Sequence, residues 1–395
     1  MTECKTDALV VGHLCLDIIP EFLTGNVPLP QLLVPGKLVD MGRVVLGTGG
    51  ATSNTGLALH RLGFRVGIMG KIGADIFGDA VISLLKKTAP HLIDSMIVSP
   101  TDGTSYSVVL NPPGVDRIFL HSTGANDTFG VADIPDDALD GVRLMHFGYP
   151  PLMRRFQVDG GSELRTLFER ARSRGITTSL DMARPDPDGL SGKVDWLQLM
   201  KNVLPLVDVF LPSVDEILFM IDRPRFDRLQ EKAGEGNPTA HMDVETIRET
   251  ADLLIGMGAA IVGLKLGDQG FYLKTTADPA RLANMGHAAP KNAEAWLDKE
   301  LITGCRCVDV AGTTGAGDCT IAGFLGALLK GLSADEAVVR AVAVGGASVE
   351  TRDATSGVPD WSIIEKRLAD GWAESASAVI PAGWNRTAAG GRSRA

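Results

Sequence analysis

Apolar residues recur along this chain in two alternating patterns. Short apolar runs occupy residues 8–12 (ALVVG), 65–70 (RVGIMG), 144–149 (LMHFGY), 176–181 (ITTSLD), 207–212 (VDVFLP) and 259–267 (AAIVGLKLG). Runs of this length, rich in branched residues, predict buried strands. Between them lie stretches with helical spacing, from Thr52 to Leu62, Glu163 to Arg174 and Val244 to Met257. Each closes on a glycine, Gly63, Gly175 or Gly258, where a left-handed cap is cheapest. Strands that alternate with helices need crossover connections, which predicts an α/β class with a doubly wound, mainly parallel sheet and helices on both faces.

Several stretches break that rhythm. Residues 14–46 are rich in proline and valine, and 104–120 read as two short strands around Asn111-Pro112-Pro113-Gly114. These predict a small separate β layer flanking the first glycine cluster, a lid over whatever that cluster binds. Such a layer would offer an edge through which a homodimer could pair. The charged segment from Arg223 to His241 reads as a surface insertion, and residues 388–395 as a disordered tail.

Composition narrows the function. The chain carries 38 basic against 48 acidic side chains, a net charge of −10, which argues against a nucleic-acid or membrane-surface partner. The longest apolar run, Leu253 to Leu264, stops at Lys265, short of a membrane span. Acidic Glu3 and Asp7 near the start are unlike a secretion signal, so the expected location is cytoplasmic. Five cysteines without a CxxC pair support neither disulfides nor zinc, and His13, His121 and His146 lack metal-ligand spacing. The 46 glycines point instead to tight backbone approaches.

The most informative segment is VAGTTGAGDCTIAGFLGALLKG, Val310 to Gly331. A Gly/Thr-rich turn runs into a helix whose apolar residues Ile321, Phe324, Leu325, Leu328 and Leu329 share a face. The amides of Gly315, Ala316 and Gly317 then open a helix N-terminus, an anion cradle, with Asp318 in the first turn. An anion hole beside a carboxylate suits phosphoryl transfer: the amides hold the moving phosphate and the carboxylate accepts a proton from the attacking hydroxyl. The loop lacks a Walker lysine, and the first strand ends VGHLCLD rather than GxGxxG, so neither common nucleotide motif applies.

TTGAGDCTIAGFLGALLKG resembles the C-terminal signature of the PfkB, or ribokinase-like, carbohydrate kinases, and residues 47–79 resemble the N-terminal one. LPSVDEI (211–217), LKLGDQGFYL (264–273) and VGGASVETRDATSGVPD (344–360) match in between and after, so the likeness spans residues 7–370. It implies an ATP-dependent kinase that phosphorylates a hydroxyl of a small sugar or sugar derivative, with ATP and Mg2+ as cofactors. A nucleoside kinase of the same fold, with Phe22, Tyr106 and Phe119 available for stacking, and a non-catalytic sugar-binding regulator are the alternatives.

The same resemblance implies roles. Asp318 would be the general base and Gly315, Ala316 and Gly317 the anion hole. Asp17, Gly49, Gly50 and Asn54 would bind the sugar; Lys265, Gly267 and Gly270 would contact ATP; Glu216 would organise magnesium through water. The chain departs from the family pattern at Gly312, where an aspartate is usual, which leaves monovalent-cation dependence open. Ser213 replaces an asparagine, and Asp181-Met182-Ala183-Arg184 only partly matches an Asp-x-Asn-x-Arg strand end.

Overall fold

The computed structural model describes residues 4–23, 31, 34–112, 118–234, 236–377 and 381–394. Six of its strands form the parallel part of a large sheet: β1 (Thr6–Gly12), β4 (Val66–Met69), β9 (Val142–Gly148), β10 (Thr177–Asp181), β11 (Val209–Phe210) and β12 (Ile261–Lys265). Their order is β4-β1-β9-β10-β11-β12. The chain leaves β1 in one direction to reach β4, then returns past β1 to β9 and continues the other way. Strand order therefore reverses between β1 and β9, and such a switch point opens a crevice at the carboxyl ends of the strands. Antiparallel β13 (Phe271–Thr275) and β14 (Glu300–Thr303) extend the sheet beyond β12.

Both faces of the sheet are covered, as the unbroken apolar runs require. Within β1, Ala8 and Val10 pack into one buried cluster with the helices Ala51–Arg61, Ala316–Lys330 and Ala334–Ser348. Leu9 and Val11 face the opposite cluster, with the helices Ser162–Ser173, Trp196–Val203 and Val214–Ile221. Period-two side chains thus feed two cores at once. Contact is closest at Gly148, where an added Cβ would lie 2.2 Å from the Ala51 Cβ. The missing side chain lets the helix Ala51–Arg61 rest its first turn directly on the end of β9.

A second sheet has four strands, β2 (Cys15–Phe22), β3 (Met41–Gly49), β7 (Tyr106–Leu110) and β8 (Ile118–Ser122), in the order β3-β2-β7-β8. These strands come from the two stretches set apart in the sequence, of which residues 24–30, 32–33 and 113–117 lie outside the described ones. Short β5 (Lys71–Gly73) and β6 (Ile97–Ser99) pair separately.

Two sequence expectations need correction. The charged segment from Arg223 contains a helix, Arg223–Ala233, capped by the Asp222 side chain, with Phe226 and Leu229 buried three residues apart. Its charges fill the solvent face of an amphipathic element, which composition alone mistook for an insertion. Residues 388–394 are not a disordered tail. With β15 (Trp384–Arg386), β16 (Arg392–Arg394) forms a hairpin whose second strand completes the exposed edge of β14. The Arg392 guanidinium holds both oxygens of Glu374 at 2.6 Å, which fixes the segment in place.

Candidate active site

Asp318 lies in the first turn of the helix Ala316–Lys330 and is buried, at 3% exposure. Gly315 takes the left-handed conformation, φ 71°, that the cap requires, and an added Cβ there would press on Ala354 at 2.6 Å. Two side chains aim the carboxylate. Asn54 Nδ2 donates to Oδ2 at 2.9 Å, and the Tyr149 hydroxyl donates to Oδ1 at 2.8 Å. Burial raises the Asp318 pKa, while Lys265 and these two donors oppose the rise. Of the cradle amides, that of Ala316 donates to the Thr313 carbonyl at 3.3 Å.

Tyr149 has no counterpart among the residues the sequence singled out. It follows β9 at the switch point with φ 68° and ψ 50°, a left-handed conformation rare for a side chain of that size. Such strain costs about 1–3 kcal/mol and persists where surrounding contacts enforce it. Here it turns the ring toward Asp318, and burial beside that carboxylate keeps the phenol protonated as a donor.

A second charged group sits at neighbouring strand ends. Lys265, the last residue of β12, places Nζ 2.8 Å from both oxygens of Asp181, the last residue of β10. The Asp181 side chain is fully buried and that of Lys265 nearly so. Burial alone would lower the Lys265 pKa, but Asp181, Glu216 and Asp318 together raise it. Burial pushes Asp181 up to about 6 against the pull of Lys265. Glu216, whose Oε2 accepts from the Ser213 amide at 3.0 Å, is pushed up to about 8 by burial, with Asp181 and Asp215 adding to the rise. A Cβ added to Gly317 would come within 3.7 Å of Lys265 Nζ, so the ammonium lies beside the cradle.

Asp17, on β2, stands against Gly49, the last residue of β3: a Cβ there would lie 2.4 Å from each carboxylate oxygen. Gly50 follows with φ 89° and starts the helix that carries Asn54. Gly267 and Gly270 both have positive φ in the turn joining β12 to β13. Arg184 stacks over Phe226, 4.6 Å from the ring centroid, and over Phe219 of the helix that carries Glu216. Tertiary structure therefore joins Asp318, Asn54, Lys265 and Glu216 to two partners the sequence did not set beside them, Tyr149 and Asp181. The signal for Tyr149 was a large residue between Gly148 and Pro150 at a strand end.

The sequence profile of the pfkB family of carbohydrate kinases matches residues 5–361. A 2-dehydro-3-deoxygluconokinase of Bacillus subtilis is 28% identical over 331 residues, covering 82% of this chain and 87% of the relative. A nucleoside kinase of Methanothermobacter thermautotrophicus is 25% identical, covering 93% and 96%. Among solved structures, Arabidopsis thaliana ribokinase complexed with ribose and ATP shares the fold, with a TM-score of 0.67 at 18% identity and coverage of 91% and 98%. No described helix is long and apolar enough to cross a membrane.

Proposed function

This chain belongs to the pfkB family of carbohydrate kinases, and on that premise we propose that it transfers the γ-phosphoryl group of ATP to a hydroxyl of a small sugar or sugar derivative, with Asp318 as general base. The observation that carries the reading is the buried Asp318 carboxylate, aimed by Asn54 and Tyr149 at a helix N-terminus. A carboxylate with a raised pKa is a better proton acceptor than an ordinary aspartate. The amides of Gly315 and Gly317 would face the phosphate as its charge develops, that of Ala316 joining them only by leaving the Thr313 carbonyl, and Lys265 beside Gly317 would add a positive charge there.

The donor set suits the two cofactors. Glu216, buried at the start of the helix Val214–Ile221 with Asp181 and Asp215 nearby, would take a magnesium ion through water. Magnesium supplies charge neutralisation between the phosphates. Gly267 and Gly270 would bring backbone close to ATP. At Gly312 no side chain is offered to a monovalent cation, and a Cβ would lie 3.0 Å from the Arg352 carbonyl oxygen, so such an ion would rest on carbonyls.

Asp17, Gly49, Gly50 and the remaining capacity of Asn54 would hold the acceptor, with the four-stranded sheet as lid. Val44, Val45 and Leu46 on its edge strand β3 are exposed, which fits pairing with a second copy. Gly49→Ala tests the acceptor site: the new methyl should displace the Asp17 carboxylate and raise the acceptor KM about tenfold, with a smaller change in kcat. Unchanged steady-state KM would remove Asp17 from the site.

A sugar is put before a nucleoside because the matching family model is that of carbohydrate kinases; of the three aromatic candidates for stacking a base, Tyr106 packs edge-on against Phe77 at 5.4 Å and Phe119 is exposed. The reading is tested by ADP release over a panel of aldoses, ketoses, 2-keto-3-deoxy sugar acids and nucleosides with Mg2+ and ATP. Turnover with a sugar or sugar acid is expected. Turnover confined to nucleosides would transfer the assignment to the alternative, and none above the blank would overturn it.

A further inference from the structure

Three residues whose spacing along the chain does not group them meet where the two sheets join. His13 follows β1, Cys15 starts β2 and His121 lies on the edge strand β8, 108 residues from His13. The two Nε2 atoms face each other at 3.3 Å, and Cys15 Sγ lies within 4.8 Å of a ring nitrogen of each histidine. Two imidazole nitrogens held about 2.0–2.1 Å from one tetrahedral ion would be roughly 3.3–3.4 Å apart. The histidine pair already has that spacing, and the Cys15 thiol lies near enough to supply a third ligand.

The surroundings support ligation. His121 Nδ1 is 2.9 Å from Ser107 Oγ, which orients the ring so that Nε2 points inward. The link carrying His13 and Cys15 is held rigid by Asn126, which accepts from the Leu14 amide at 3.2 Å and donates to its carbonyl at 3.0 Å. His13 is buried, which shields its ring from bulk water. Two imidazoles and a thiol select zinc-type ions over magnesium.

We propose that His13, Cys15 and His121 form a binding site for a zinc-type divalent cation, which fastens the edge of the four-stranded sheet to the main body. Binding exchanges the thiol proton, released to solvent, for a metal–thiolate bond. Because Cys15 Sγ otherwise hydrogen-bonds Asp17 Oδ1 at 3.4 Å, the ion would act within one residue contact of the proposed acceptor site. Binding itself needs no premise about the reaction.

The test is titration of the full chain with Co2+ and then Zn2+, without substrate or nucleotide. The expected result is a thiolate-to-cobalt charge-transfer band in the near ultraviolet, saturating at one ion per chain and erased by Zn2+. Cys15→Ser should abolish the band. His121→Gln, on an edge strand and so tolerant of change, should weaken Zn2+ binding at least about tenfold. Amide exchange over 106–110 and 118–122 should slow when Zn2+ binds. Absence of the band, its survival in Cys15→Ser through Cys305 or Cys307, or unchanged exchange with bound Zn2+ would each overturn the proposal.

Discussion

Asp318→Asn is expected to lower kcat by about 10²–10⁴-fold while leaving acceptor binding and the fold largely intact. The substitution keeps the size of the side chain. Its amide oxygen still accepts from Asn54 Nδ2, and its NH2 can turn toward the Tyr149 oxygen, so both neighbours keep a partner. What is lost is the capacity to take a proton from the attacking hydroxyl. The pH dependence carries the same information. Because burial raises the Asp318 pKa, the acid limb of kcat in the natural enzyme should fall at higher pH than an exposed aspartate would give. That limb should be missing from the residual activity of the variant. Steady-state rates across pH, with calorimetric acceptor binding and a thermal melt as controls, make the check. Near-natural turnover in Asp318→Asn would reduce the carboxylate to a helix-dipole residue.

Lys265→Met should cost about 3–5 kcal/mol of stability, because it strands the Asp181 carboxylate in a fully buried position with both of its 2.8 Å contacts removed. The deficit should depend on pH in a set direction. A carboxyl whose folded pKa lies above its unfolded value binds more protons in the native state, so stability falls as pH rises. Asp181 is already at about 6 with its lysine present. Without that lysine the value rises further, and the variant should recover stability as the solution is acidified. The double variant Lys265→Met/Asp181→Asn should regain most of the loss at neutral pH, since no charge is left unpaired. Urea unfolding of the natural chain, the single variant and the double variant at two pH values reads all three effects. Equal loss in the single and double variants would mean that the lysine stem contributes packing rather than pairing.

The two predictions differ in what the sequence could foresee. Asp318 was legible because its turn, cap glycine and helix are consecutive, and the phosphate chemistry of a helix N-terminus is local. Lys265 was picked out as a cofactor contact by the family resemblance, yet its partner Asp181 lies 84 residues away and matched the family pattern only in part. Asn54 was expected on the acceptor, and the fold adds a second task by spending one of its amide hydrogens on Asp318, 264 residues distant. The histidines looked structural because their spacing along the chain is irregular. Only the meeting of the two sheets brings His13 and His121 together.

What the sequence by itself determined is therefore the set of elements and the residues standing at their ends. Periods of two and near four residues, with glycine at helix stops, are short-range consequences of backbone geometry and burial, and they marked the parallel core and its two covered faces. The tertiary structure decided which of those ends converge. Strand order reverses between β1 and β9, and that reversal gathers Tyr149, Asp181, Lys265 and Asp318 into one cluster. It also decided the fate of segments with weak local signals. Phe226 and Leu229 bury a charged helix, and the Arg392–Glu374 pair holds a glycine-rich end of the chain as a strand. Pairing across such distances depends on complementary surfaces presented by other elements, and no window of neighbouring residues contains that information.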